Sequence, residues 1–535
     1  MSNDRGDRVA YLLASGDLRH RANVDGWPAQ EDMERRLTAV FAERRWRLER
    51  AHDIDPLVGH GFLSSQRAGL DVLRRVPTDA PVVVAVSIWQ YSHHVLSGLR
   101  LHRGPILTVA NFDGRWSGLV GMLNLNASLR KAGVPYATAW SVDFADDRFL
   151  AWIDEWMTSG AIRHDRSHVR PWPTGTAGDD ADRGRAVAAE LRDRRPILGV
   201  FDEGCMGMYN AIIDDELLAP LGLFKERLSQ SALYAEMRRV PADEAHAALA
   251  WLLDRGMRFD EGADPAVDLT REQVLDQLRM YIAALRIADD FGLDAIGIQY
   301  QQGLTDLVPA SDLAEGLLND ADRPPVRSRD GARVLWPGAP LPHFNEVDEG
   351  CAVDALVTNR VWTALGLDPA TTLHDVRWGE DYEGRFVWVF MISGAVPPSH
   401  LAGGYRGAVG MRQHPRFFPL GGATLRGVSK PGEFVWSRVH VEDGAVRADL
   451  GRGTALELPE DETERRWRAT SPEWPIMHAV LHGVSRDQLM GRHPANHIQV
   501  AYAPDAASAD RALRAKAAAL TSLGIEVSLC GDVAA

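Results

Sequence analysis

The chain has 535 residues, 45% hydrophobic and 25% charged, with a formal net charge of −15. That length exceeds one ordinary core and sets a prior of two to four domains with a globular balance of residues. The negative charge argues against phosphate backbones and anionic membranes as main partners, so neither nucleic acid nor membrane is expected. The longest strongly apolar run, around Ala80 to Trp89, is about half of what a membrane helix needs. The opening MSNDRGDRVAYLL carries charges of both signs with no long apolar stretch behind them, unlike a secretory signal. Three cysteines, Cys205, Cys351 and Cys530, are too few and too scattered for a disulfide framework, and no CxxC pair suggests a thiolate zinc site. A cytoplasmic enzyme is the expectation.

The first third alternates short β-branched runs with helical stretches. PVVVAVSIW (Pro81 to Trp89), GPILTVAN (Gly104 to Asn111) and GVPYATAW (Gly133 to Trp140) read as strands buried on both faces. Between the last two, SGLVGMLNLNASLRKAG has helical apolar spacing and a glycine stop at Gly133. Such repetition predicts a parallel sheet with helices on its faces. A Pro/Gly/Thr-rich stretch from His168 to Asp180 marks the first boundary. The second unit opens with RPILGVFDEGCMGMYNAIIDDELL, holds the helical ADEAHAALAWLLDRG, and closes with the strand GLDAIGIQY at Tyr300. A second Pro/Arg/Gly-rich link runs from Ala321 to Pro342. Beyond it, FVWVFMISGA, GEFVWSRVHVEDGAVRADLG and GTALEL are alternating strands with turns such as Glu442-Asp443-Gly444, which predicts an antiparallel β-rich domain. The chain closes on HIQVAYA and a helical ASADRALRAKAAALTSLG. DEGC occurs twice, at Asp202–Cys205 and Asp348–Cys351, and both copies read as strand-to-helix turns.

Familiar chemical motifs are absent. There is no GxxxxGK[ST] loop, no HExxH helix, no GxSxG elbow and no GxG dinucleotide fingerprint after the first strands, so no organic cofactor is expected. Carboxylates and histidines at element ends remain. Glu315 lies in VPASDLAEGLLND, where Asp312-x-x-Glu315 is also the spacing of a capping box. Glu346 and Asp348 of NEVDEG lie two apart and on a strand would face one cation together, although a solvated turn accounts for them nearly as well. His497 stands just before a strand in PANHIQVAY, where a hydrogen-bonded structural histidine is the commoner finding. Glu203 is pointed out of a strand end by a glycine turn, where α/β sheets bind ligands, and is a candidate pocket residue. Most of the sixteen tryptophans, such as Trp152 and Trp156, read as core. Cys205 and Cys351 sit beside acids, which raise a thiol pKa, so neither reads as a nucleophile.

Three of these segments, in chain order, resemble the L-fucose isomerase/L-arabinose isomerase family. GIQYQQGLTDLVPASDLAEGLLND is similar to the strand–loop–helix segment that carries a catalytic, metal-binding glutamate, which falls on Glu315. NEVDEGCAVDAL resembles the E-x-D stretch that opens a helix, and its aspartate is Asp348. PANHIQVAY resembles the Ala-Asn-His element, with the metal-binding histidine at His497 and a sugar-contacting asparagine at Asn496. SPEWP matches a Trp-Pro pair, placing Trp474 against the sugar. SIWQYS matches an aromatic turn whose tryptophan, Trp89, serves the site of a neighbouring subunit. Taken with the pattern along the chain, the resemblance implies an α/β fold class. It comprises two Rossmann-like parallel-sheet α/β domains, 1–170 and 171–340, and a β-rich, antiparallel barrel-like C-terminal domain, 341–535. It further implies a homo-oligomer, a hexamer or trimer.

The activity implied is interconversion of an open-chain aldose and its 2-ketose through a cis-enediolate. That chemistry requires a proton to move from C2 to C1 while charge on O1 and O2 is stabilised. A divalent cation, Mn²⁺ or Mg²⁺, held by Glu315, Asp348 and His497 answers the second need; the two carboxyls answer the first and should be driven apart in pKa. Other readings stay open. An anionic sugar would engage Arg412, His414 and Arg416 of MRQHPRFF, or Arg492 and His493 beside His497. A non-catalytic sugar-binding protein and a lyase or epimerase using the same enediolate are the further alternatives.

Overall fold

The computed structural model describes residues 8–173 and 175–533, apart from the Cys205 side chain. Contacts divide them into two compact units. One runs to Arg166 and includes Gly207–Asn210 and Asp487–Asn496; the other holds the remainder. Apart from those two pieces, residues 171–533 belong to the second unit.

In the first unit β1 (Arg8–Leu13), β2 (Trp46–Arg50), β3 (Val82–Val86), β4 (Ile106–Asn111) and β5 (Ala137–Ser141) form a parallel sheet in the order β2-β1-β3-β4-β5. Every residue of β3, β4 and β5 is buried, which is why these strands read as unbroken apolar runs. The helix Gly118–Lys131 joins β4 to β5 and stops before Gly133, whose φ of +68° favours glycine. β2, written WRLER, is an edge strand, and its charges blunt the edge while hiding it from pattern reading.

The second unit contains β6 (Val169–Pro171), β7 (Ile197–Phe201), β8 (Phe224–Leu228), β9 (Arg258–Phe259) and β10 (Ala295–Ile298). A small parallel sheet runs β10-β7-β8, with Phe201 opposite both Ile298 and Leu228, so all three strands end level. The β-rich part adds β11 (Thr372–Tyr382), β12 (Arg385–Met391), β13 (Val409–Gly410), β14 (Gly432–Glu442), β15 (Ala445–Ala455), β16 (Ile476–Leu481), β17 (His497–Ala503) and β18 (Glu526–Cys530). Six of these close on themselves in antiparallel order β14-β17-β11-β12-β16-β15 and back to β14, a barrel without free edges. β18 and then β6 extend it beside β15. Asp443 and Gly444 join β14 to β15 with φ of 52° and 71°, the two positive values of a type I′ hairpin turn.

Two helices back the barrel. Glu349–Leu365 carries Asp348 at its N-cap, and Ala506–Leu523 is capped by Asp505, whose side chain accepts Ser508 N–H at 2.7 Å. The latter crosses the helix Asp179–Arg194 at Gly184, where a Cβ would fall 2.0 Å from Ala515 O. Among the described residues no helix is long and apolar enough to cross a membrane.

Candidate metal and acid–base centre

His497 opens β17 and stands opposite Asp375 in the β11–β17 ladder. Its ring is fully buried, and Nδ1 lies 2.8 Å from Asp348 Oδ2. Arg438, on β14, donates from Nη1 to the same oxygen at 2.5 Å and to Cys351 Sγ at 2.9 Å. Asp348 Oδ1 accepts the Cys351 backbone N–H at 3.1 Å and so caps its helix. Burial alone would raise the Asp348 pKa, but the Arg438 guanidinium and the His497 ring hold this carboxyl well below the usual range. Burial, reinforced by Asp348, pushes the Cys351 thiol up, so it is a neutral thiol rather than a thiolate ligand.

The opposite edge of the imidazole faces two more acids. Nε2 is 3.5 Å from Glu346 Oε2 and 3.4 Å from Asp375 Oδ1. Burial would lower the His497 pKa; Asp348, Glu346 and Asp375 together lift it to about 10. The strand geometry considered for NEVDEG is corrected here. Asn345–Val347 is a tight turn with Glu346 at φ 57° and Val347 at φ 54°, a conformation that costs a β-branched residue on the order of 1–3 kcal/mol. The two acids reach opposite edges of one ring because the chain must turn sharply before Asp348 can cap a helix.

Glu315 lies one turn into the helix Asp312–Leu318 and is buried. It does not complete a capping box. Ser311, the N-cap, makes no side-chain cap bond; its hydroxyl donates to Glu315 Oε1, and the Asn345 amide donates to Oε2. Burial raises the Glu315 pKa, the two hydrogen bonds pull it back, and Glu346 pushes it up again, for a value of about 7. His343 Nδ1 stands 3.8 Å from Oε2, and burial lowers that imidazole to about 3, leaving it neutral. Asp348, His497 and Cys351 offer ligand atoms within 4.8 Å of one another; Glu315 is not in that group, and Glu346 lies between the two sets, acting electrostatically on both.

Trp474 is half-buried and donates from Nε1 to Gln413 Oε1 at 2.8 Å. Gln413 in turn donates to Asp312 Oδ2 at 2.9 Å, which ties the tryptophan to the helix of Glu315. Asn496 and Trp89 belong to the first unit. Asn496 is buried with Nδ2 3.3 Å from Met208 Sδ, and Trp89 is buried with its backbone N–H donated to Ser117 Oγ at 2.9 Å. Of the basic residues considered for an anionic substrate, Arg412 spends its guanidinium on the carbonyls of Pro265, Gln413 and Pro419.

Sequence reading missed Asp375, Arg438 and, as a partner of His497 Nε2, Glu346. The available signal was charge within strands otherwise apolar, as in TLHDVRW and FVWSRVHV; inside a closed barrel such residues must find partners. Three carboxylates around one imidazole, with Arg438 balancing the Nδ1 side, leave excess negative charge on the Nε2 side. A surrounding that draws a proton onto His497 up to about pH 10 draws cations generally, and an oxygen-rich set with one nitrogen suits a hard or borderline divalent ion. The residues therefore fit such an ion.

Parallel α/β segments leading into a barrel that gathers carboxylates on one imidazole define a candidate metal-assisted acid–base centre. Residues 408–528, which carry Arg438, Trp474, Asn496 and His497, match the family model described as L-fucose isomerase, C-terminal domain. The chain is fucose isomerase-like over that span, in agreement with the resemblance drawn from its motifs. No curated protein matches it significantly.

Proposed function

We propose that this chain is a metal-dependent aldose–ketose isomerase acting on an open-chain aldose of the L-fucose, D-arabinose or L-arabinose type. The observation that carries the reading is the buried Asp348–His497 pair, 2.8 Å apart, in a chain whose residues 408–528 match the L-fucose isomerase C-terminal domain model. By the family resemblance Glu315, Asp348 and His497 would hold the ion, Mn²⁺ or Mg²⁺, with Glu346 and Asp375 adding negative charge on the Nε2 edge. When bound, it supplies a Lewis acid that stabilises charge on sugar oxygens.

Glu315, buried between the Ser311 hydroxyl and the Asn345 amide, is the proton carrier in this reading. Its carboxylate takes the C2 proton of the aldose and its acid form returns a proton at C1, while the O2 hydroxyl proton passes to O1, so that the enediolate collapses to the ketose. Asp348 is the partner carboxylate; it stays ionised, orients His497 through Nδ1 and keeps negative charge beside the reacting carbons. Trp474 packs on the sugar. Trp89 completes the site of a neighbouring subunit in a trimer or hexamer.

The test is product analysis by NMR with Mn²⁺-loaded protein and a panel of neutral aldoses. Ketose is expected, with Glu315→Gln and Asp348→Asn each slower by about 10²–10⁴-fold while keeping the fold. Normal turnover in either variant overturns the assignment. Full activity after confirmed removal of the ion by EDTA overturns the metal role.

A further inference from the structure

The small parallel sheet of the second unit has a ligand crevice of its own. Because Phe201 pairs level with Leu228 and Ile298, the chain leaves β7, β8 and β10 side by side at Asp202, Ser229 and Gln299. β7 is also the strand at which the order reverses, with β8 on one side and β10 on the other. Open α/β sheets bind ligands at that place. A cavity of about 480 Å³ lies there, within the range of small-molecule sites. Three non-glycine residues around it, Asp202, Tyr300 and Gln302, have φ of 62°, 45° and 52°. Strain of this kind collects at ligand clamps.

The lining selects a chemistry. Gln230, Gln299 and Gln301 are buried and locked together: Gln230 Nε2 donates to Gln299 Oε1 at 2.9 Å, and Gln230 Oε1 accepts Gln301 N–H at 3.3 Å. Amides both donate and accept, as hydroxyls do. Among the described residues neither lysine nor arginine lines the cavity, so a phosphate or sulfonate finds no counter-charge in its wall. The acids are already engaged. Asp202 Oδ2 accepts from Gln230 N and Nε2 at 3.1 and 3.0 Å, and Glu203 pairs with Lys225 and Arg227, each at 3.1 Å. The lining therefore offers donors and acceptors side by side, with the Asp202 carboxylate held by amide donors and Glu203 by two cations.

We propose that this crevice binds a neutral, polyhydroxylated molecule, a sugar or an alditol. The inference goes beyond the isomerase reading and does not depend on it. The ligand is either the enzyme's own substrate or a separate effector.

Calorimetric titration of the full chain with neutral pentoses, hexoses, alditols and the matching sugar phosphates tests it. Neutral members should bind, phosphates about tenfold or more weakly. Gln301→Ala should weaken binding of the neutral ligand about tenfold. Gly303→Phe serves as a second variant, since a Cβ there meets nothing within 4 Å and the ring would fill the crevice without disturbing the buried amides. Competition separates the sources: a substrate is displaced by other turned-over aldoses, an effector is not, and either result supports the site. Unchanged affinity in a folded Gly303→Phe protein, phosphates binding as well as neutral sugars, or no neutral ligand binding at all would overturn it. Failure of turnover with binding intact would count against the isomerase alone.

Discussion

Glu315 and Asp348 are both buried carboxyls in the second unit, and their surroundings drive them in opposite directions. Glu315 sits among neutral donors, the Ser311 hydroxyl and the Asn345 amide, and is pushed up to about 7. Asp348 sits on a buried guanidinium and an imidazole and is held well below the usual carboxylate range. Burial acts alike on the two; the charge of the partner decides which proton stays.

The consequences for stability carry opposite signs. A raised carboxyl contributes stability that is present below the ordinary glutamate value and lost as pH rises through about 7. A depressed one contributes stability present above the ordinary aspartate value and lost as pH falls toward its folded value.

The largest effect should come from removing the cation that separates the pair. Arg438→Met strands Asp348 as a buried, undercompensated charge and should cost about 3–5 kcal/mol in chemical denaturation. A loss under about 1 kcal/mol would mean that His497 alone balances Asp348. Next, Glu315→Gln should stabilise the protein at about pH 8 by up to about 3 kcal/mol, with the gain vanishing near pH 4. Melts across that range check the sign, and equal shifts at both ends would contradict it.

Glu346→Gln or Asp375→Asn should lower the pH at which the His497 ring titrates by NMR and weaken Mn²⁺ binding measured by calorimetry, because each removes negative charge from the Nε2 edge. The smallest change is Trp474→Phe, which loses the 2.8 Å bond to Gln413. It should cost about 1 kcal/mol and raise KM a few-fold with kcat nearly kept.

How far the sequence told this in advance varied with the kind of signal. Strands β3, β4 and β5 were legible because burial on both faces writes continuous β-branched runs. The Asp443-Gly444 hairpin was legible because only certain residues accept two positive φ values. β1, β2 and the long helix His20–Glu43 were not read: a charged edge strand and a helix with an internal proline blur both periods. The meeting of Asp348 with His497 came from the family resemblance rather than from spacing, since 149 residues separate them. The Nε2 edge was hidden more deeply. Asp375 faces His497 through ladder register, and Glu346 reaches it through a strained turn, neither of which alternation encodes.

Solvent-proton exchange tests the central claim most directly. With Mn²⁺-loaded protein and a neutral aldose in D₂O, NMR should show ketose forming and deuterium entering the aldose at C2, with both suppressed in Glu315→Gln. Exchange that proceeds at the wild-type rate in that variant, or its absence with every neutral aldose, would contradict it.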